Sequence, residues 1–408
     1  MRLFLYELKK IWNWKLLLIT AIFAALTWLA LLSEVLKGYE SLKKYGAYGS
    51  YQTEMFELYG DTLESGELAN FDFPGRFAEI YENADAIIAR EPVFIKYNIT
   101  DFERFIEWYN SDELMIHLDT QYGEVVDMIR TLYNDKPSLT FDKKYASPLM
   151  KWQSLRALES RYVNQQEHLD VYIENDMRPP VVRAAERLKR TSNNNLINEY
   201  LMPEFSLYAA ITGVFVITSV IILVIPLLIT DRSRNINLLQ YTAKTGRKII
   251  RTQFAATFTI TIVLSAVLTL AIFAPFITVA WEYWNTIIMS SGIRGMWLYN
   301  VTFGQYVFIL AGIIIASCTG AAGFAFILAR FSTNIVNAMI KAVPAVAALA
   351  ALLGISVFMA LSNNNIVFNQ VLGGRVDIPE VILCVVIGFA GAVAAALVVR
   401  RERRRDLT

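Results

Sequence analysis

The chain has 408 residues, 55% of them hydrophobic and 18% charged, with a net charge of +1. That composition excludes a disordered chain, and near-neutrality gives no basis for a nucleic-acid partner. Two cysteines in 408 residues exclude a disulfide scaffold.

Residues 1–15, MRLFLYELKKIWNWK, place Phe4, Leu5, Leu8, Ile11 and Trp12 near one helical face and Arg2, Lys9, Lys10 and Asn13 on the other. Such a helix lies in the headgroup plane, with Trp12 and Trp14 as interface anchors and Lys9 facing anionic lipid. Residues 16–33 form a first apolar stretch long enough to cross a bilayer. No small-residue cleavage pattern follows it, so it is expected to stay as an anchor.

Residues 34–206 are polar and acidic, with 30 Asp plus Glu against 19 Lys plus Arg. This segment is expected to be a mostly helical domain outside the lipid. It holds no cysteine, so an apolar core must stabilise it. Ser147 and Pro148 mark a helix start, and Leu149, Trp152, Leu155, Tyr162, Gln166, Leu169 and Ile173 recur at helical spacing. Pro179 and Pro180 punctuate that pattern before a second helix through Val182, Ala185, Leu188 and Leu196, so a hairpin of two long helices is predicted. Shorter helices are predicted at Phe77 to Ala89, Asp101 to Trp108 with Asp101 as cap, and Asp112 to Tyr133, their aromatic residues serving as core. The acidic balance favours encounter with cationic ligands, while plain solubility of an exposed helical domain is the better account of it.

Residues 207–229 form a second span, and residues 230–251, TDRSRNINLLQYTAKTGRKIIR, a loop. In it Ile236, Leu238, Leu239 and Tyr241 give a short amphipathic helix that breaks at Gly246, a pattern suited to docking in a partner's groove. Residues 252–400 carry four further spans, Phe254 to Ala280, Phe303 to Leu328, Val343 to Leu361 and Val381 to Val399. None of the six contains an internal Asp, Glu, Lys or Arg. Aromatic residues from Trp281 to Asn300 read as an interface belt. Pro226, Pro275 and Pro344 are expected to kink their spans, and Gly320, Gly323, Gly388 and Gly391 to allow close helix crossing. Lys341 and Glu380 fall at span ends, where Lys341 can snorkel and Glu380 can remain in water. Residues 401–408 are a basic tail.

The fold class is therefore all-α, a polytopic membrane protein with six transmembrane helices and a mostly helical extracellular domain. Basic residues set its orientation: 17 Lys and Arg flank the amino terminus, the 230–251 loop, the fourth-to-fifth loop and the tail, against Arg294 and Arg375 in the short loops opposite. Both termini are expected in the cytoplasm, in a plasma-membrane protein. No phosphate-binding GxxxxGK is followed by Ser or Thr, no GxSxG occurs, and His117 and His168 lack metal-ligand spacing. No catalytic, cofactor or metal residue is assigned, and an enzymatic role for the chain alone is not expected.

The amphipathic amino-terminal helix, the six spans with cytoplasmic termini, and the run Asp231, Asn235, Leu238, Leu239, Thr242, Gly246, Arg247, Arg251 resemble a type-2 ABC export permease, the membrane subunit that works with a separate ATPase. The resemblance implies a cytoplasmic ABC ATPase partner, which holds ATP and Mg, and a second permease copy or a related permease. It implies that Arg232 to Ala243 is the coupling helix, with Leu238 and Leu239 packing on the ATPase and Asp231 and Arg247 fixing register. The ATPase interface would comprise Asp231, Arg232, Asn235, Leu238, Leu239, Tyr241, Gly246, Arg247 and Arg251. The amino-terminal helix, through Leu5, Leu8, Lys9, Ile11 and Trp12, would be the membrane-interface element and a second contact. The large insertion resembles permeases that export or remove hydrophobic or amphipathic substrates: antimicrobial peptides, antibiotics or lipids. A non-transporting membrane sensor with a ligand-binding outer domain, and an envelope scaffold, are the alternative readings.

Overall fold

A computed structural model describes residues 2–9, 14–45, 47–64, 66–133, 147–176, 178–191, 195–233, 246–289, 291–292, 295–332, 334–362, 376 and 378–404. The architecture is all-α. Among the described residues six helices are long and apolar enough to cross a membrane. The chain divides into two compact units: one of residues Met1–Lys37, Pro203–Asn285 and Leu298–Thr408, the other of Gly38–Met202 and Thr286–Trp297.

The first unit opens with α1 (Arg2–Lys9) and α2 (Trp14–Thr27), which passes through a π-helical turn at Trp28–Leu32. Its other long helices are α12 (Leu201–Ser233) from Pro203 onward, α13 (Gly246–Val279), α14 (Phe303–Arg330), α15 (Ile335–Phe358) and α16 (Pro379–Arg404). Pro226, Pro275 and Pro344 lie inside helices. Thr302 starts α14 with a full capping box to Gln305, and Asn334 caps α15.

The tightest packing joins α14 to α16, through the four glycines expected to do so. A Cβ added at Gly323 would lie 2.2 Å from the Gly391 carbonyl oxygen, and one at Gly388 2.6 Å from that of Ala316. Backbones meet there because no side chain separates them. Elsewhere Phe205 packs against Phe273, Phe276, Phe303 and Tyr306, tying α12 to α13 and α14. Phe23 meets Phe215, with ring centroids 5.1 Å apart, linking α2 to α12.

The second unit holds α3 (Ser33–Tyr45) from Gly38 onward, α4 (Ala47–Tyr59), α5 (Phe73–Ile88), α6 (Pro92–Lys96), α7 (Phe102–Tyr109), α8 (Asp112–Tyr133), α9 (Pro148–Tyr162), α10 (Gln165–Asn175) and α11 (Pro179–Thr191). A two-residue antiparallel pair, β1 (Ser291–Gly292) and β2 (Gly295–Met296), belongs to it as well. Its core is aromatic: Phe71, Phe94, Phe102 and Phe105 are fully buried, with Trp108 beside them. Phe94 and Phe105 meet edge to face.

The caps read from sequence form as expected. The Ser147 hydroxyl accepts from the Met150 amide at 3.2 Å, and the Asp101 carboxylate from that of Arg104 at 2.8 Å. That amide bond holds the Asp101 carboxyl below its ordinary range. The long helix predicted through Ile173 is instead two helices, broken at Val163 and Asn164. Asn164 leaves helical geometry at φ −100°, ψ 30°, so apolar spacing continues across a turn that it does not detect. α8 carries a comparable kink at Gln121. Leu196 is not helical: it is buried next to an isolated bridge between Thr62 and Asn195, its amide donating to the Asp61 carbonyl at 2.9 Å.

Candidate functional site

The segment singled out in the sequence joins α12 to α13. Asn235, Leu238, Leu239 and Tyr241 lie outside the described residues. Asp231 and Arg232 belong to the last turn of α12, and Gly246 and Arg247 to the first turn of α13, so both flanks are helical backbone. Arg251, one turn later, is exposed.

The amino-terminal helix is shorter than its expected 15 residues among those described, and Ile11 and Trp12 fall outside them. Leu5 is 57% exposed, Lys9 is exposed and Leu8 half-buried. Glu7 is buried, a charged residue within the packed side of this helix that amphipathic spacing did not single out. α1 packs against α13, the helix that begins where the 230–251 loop ends.

Close to the start of α13 is a polar knot. Arg330, at the end of α14, donates from Nη2 to Gln253 Oε1 of α13 at 2.6 Å, and its Nη1 lies 3.5 Å from Glu402 Oε2 of α16. The Arg330 and Glu402 side chains are only 10% and 17% exposed, and the guanidinium also stands over the Phe326 ring. Three long helices are thus pinned through one cation. By charge counting Arg330 and Glu402 are merely loop and tail residues; the one sequence signal was a lone acid inside the basic run Arg400 to Arg405.

From Gln253 a ridge of small polar residues climbs α13. Thr257, Thr261, Ser265 and Thr269 follow at intervals of four, all fully buried. Between Thr257 and Ile272 they are the only fully buried residues of the helix. Threonines in the other spans return their hydroxyl to the carbonyl four residues earlier, as Thr212 does to Tyr208 at 2.8 Å and Thr319 to Ile315 at 2.8 Å. Those of Thr257, Thr261 and Thr269 make no hydrogen bond.

At the other end of α16, about 33 Å away at 1.5 Å per residue, Glu380 corrects the sequence reading. It is 2% exposed rather than in water, and its Oε1 accepts from the Leu361 amide at 2.9 Å. Leu361 has φ 61°, a left-handed conformation that the anchored amide helps to hold. The Tyr306 hydroxyl lies 2.8 Å from Ser206 Oγ and 3.4 Å from the Ala360 carbonyl, so α12, α14 and the end of α15 converge there. The sequence placed Glu380 at the span end but not its burial, which comes with the turn at Leu361, 19 residues earlier, whose amide it holds. Lys341 reaches the Phe331 carbonyl at 3.2 Å.

In the second unit, ion pairs decorate the surface: Arg76 with Glu54 at 2.7 Å, Arg178 with Asp176, and Lys96 with Glu124. The partner guanidinium of Arg178 holds the Asp176 carboxyl below its ordinary range, and Lys96 does the same for Glu124. His117 packs edge-on against Tyr97. Among the described residues no group of three His, Cys, Asp or Glu could hold a metal ion. Comparison with family models, curated proteins and solved structures found no match.

Proposed function

We propose that this multi-pass membrane protein is the permease subunit of an ATP-driven export system of the type-2 ABC class, moving a hydrophobic or amphipathic substrate. Its termini and the 230–251 loop face the cytoplasm, and the second unit faces outward, because basic residues concentrate in the former. The loop docks on a separate ATPase that holds ATP and Mg, and a second permease, identical or related, completes the assembly.

The observation that carries this reading is the mechanical continuity of α13. It begins at the loop, packs against α1, and two turns later is tied through Gln253 and Arg330 to α14 and α16. A displacement imposed on the loop by ATPase closure therefore passes into three spans at once, as rigid packed elements transmit shifts better than loops do. Leu238 and Leu239 supply the apolar docking face, Asp231, Arg232, Arg247 and Arg251 its charged flanks.

The test is purification from native membrane in mild detergent with an ATPase assay on what associates. A stoichiometric soluble ATPase with vanadate-sensitive turnover is expected, and Leu238→Asp should abolish substrate-stimulated turnover while the spans stay folded. Recovery of the chain alone, or with a kinase, would move the assignment to a membrane sensor.

A further inference from the structure

The second unit contains a cleft of about 670 Å³, within the range of small-ligand sites. It opens between α5, α7 and α9. Phe77, Tyr81, Ile106 and Trp152 form apolar and aromatic walls, and Asn110 and the Arg156–Glu159 ion pair supply the polar margin. Tyr81 and Trp152 rest edge-on against the buried ring of Phe102, which fixes them as rigid surfaces.

Two features define what fits. Arg156 Nη1 donates to Glu159 Oε2 at 2.7 Å, so the charges at the margin cancel and an uncharged moiety is favoured inside. Among the described residues the Tyr81 hydroxyl, the Asn110 amide and the Trp152 indole N–H have no hydrogen-bond partner in the chain. The indole N–H only donates, while the Tyr81 hydroxyl and the Asn110 amide each donate and accept; the planar Asn110 amide carries both functions on adjacent atoms, so it can meet the carbonyl and the N–H of a peptide backbone together. A glycan would use the polar margin but leave the Phe77 and Ile106 walls without apolar partners.

We infer that this cleft binds a peptide segment through one bulky apolar side chain seated between Phe77, Tyr81, Ile106 and Trp152, with its flanking backbone on Asn110. The acidic surplus of residues 34–206 would draw such a segment in when it is also basic. The assignment does not depend on an ATPase partner.

The test is saturation-transfer NMR on the full chain in lipid nanodiscs, with N-acetyl-L-phenylalaninamide as probe and N-acetylglycinamide and methyl β-glucoside as controls. Saturable transfer to the phenyl protons is expected, with little to glycinamide. Ala78→Trp, an exposed position at the cleft, should weaken binding at least tenfold. Asn110→Ala, which removes no packing, should weaken it about two- to tenfold. No saturable transfer, or equal transfer in the wild type and Ala78→Trp, overturns the inference; glucoside transfer that Ala78→Trp removes, with none to phenylalaninamide, overturns it in favour of a glycan.

Discussion

The two units are built from the same secondary structure and packed by opposite means. In the second, large rings fill the interior: Phe94, Phe102 and Phe105 are fully buried, and charged residues pair on the outside. In the first, the closest contacts are made by Gly320, Gly323, Gly388 and Gly391, while large apolar side chains such as Phe389 (72% exposed) and Leu29 (68% exposed) face outward. Water rewards burial of apolar area, so a helical unit in water gathers its rings inside. Lipid gives no such reward, so helices there associate by close backbone approach and by the few polar groups they share.

That contrast can be broken most severely at the glycine crossing. Gly323→Leu forces a side chain into the Gly391 backbone and should prevent recovery of folded protein, read as loss of the monodisperse peak in detergent, whereas Gly312→Ala, with nothing within 4 Å of the added carbon, should be neutral. In the second unit the corresponding damage is a lost ring. Phe105→Ala should cost about 3–5 kcal/mol, visible as early proteolysis of residues 38–202 while the spans persist. Equal sensitivity of the second unit to small-to-large changes at exposed Gly123 would remove the distinction.

Polar groups sharpen it further. Arg330→Met leaves Glu402 and Gln253 without their shared cation and should destabilise the first unit by about 1–3 kcal/mol, with Glu402→Gln restoring part of the loss; no change in detergent melting temperature would mean that the knot is incidental. Acid should act on the second unit first. Asp101 and Asp176 have folded-state pKa values lowered by the Arg104 amide and by Arg178, so their stabilisation is complete above the ordinary carboxylate range of about 4 and is lost as pH falls through the lower folded values. Thermal unfolding of the second unit from about pH 6 down to pH 3 checks that sign. The smallest effect is expected on the hydroxyl ridge: Thr261→Val removes a buried hydroxyl with no hydrogen bond and should raise stability by about 0.5–1 kcal/mol, and a loss instead would show that the ridge is paired in the membrane.

Much of this architecture was legible beforehand because its causes are local. Twenty apolar residues without charge mean a spanning helix whatever surrounds them, and Ser147 or Asp101 cap a helix through an amide three residues away. The glycine pairs were legible too, since spacing puts Gly320 with Gly323, and Gly388 with Gly391, near one another on a helix. What was not legible has partners far along the chain. Glu380 is buried by a turn 19 residues earlier, Arg330 is held by residues 77 positions before and 72 after, and the break at Asn164 lies within continuous apolar spacing.

The sequence alone thus determined a helical, six-span chain with an acidic insertion and a basic connector, because hydropathy and charge act over a single segment and need no neighbour. Only the tertiary structure decided that α1 lies on α13, that one arginine joins three helices, and that four hydroxyls form one buried ridge. It also decided that Tyr81 and Trp152, packed against the core as expected, border an open cleft as well. Each of these depends on which faces meet, and that is set by packing between elements distant in sequence, where small differences in shape outweigh any local preference.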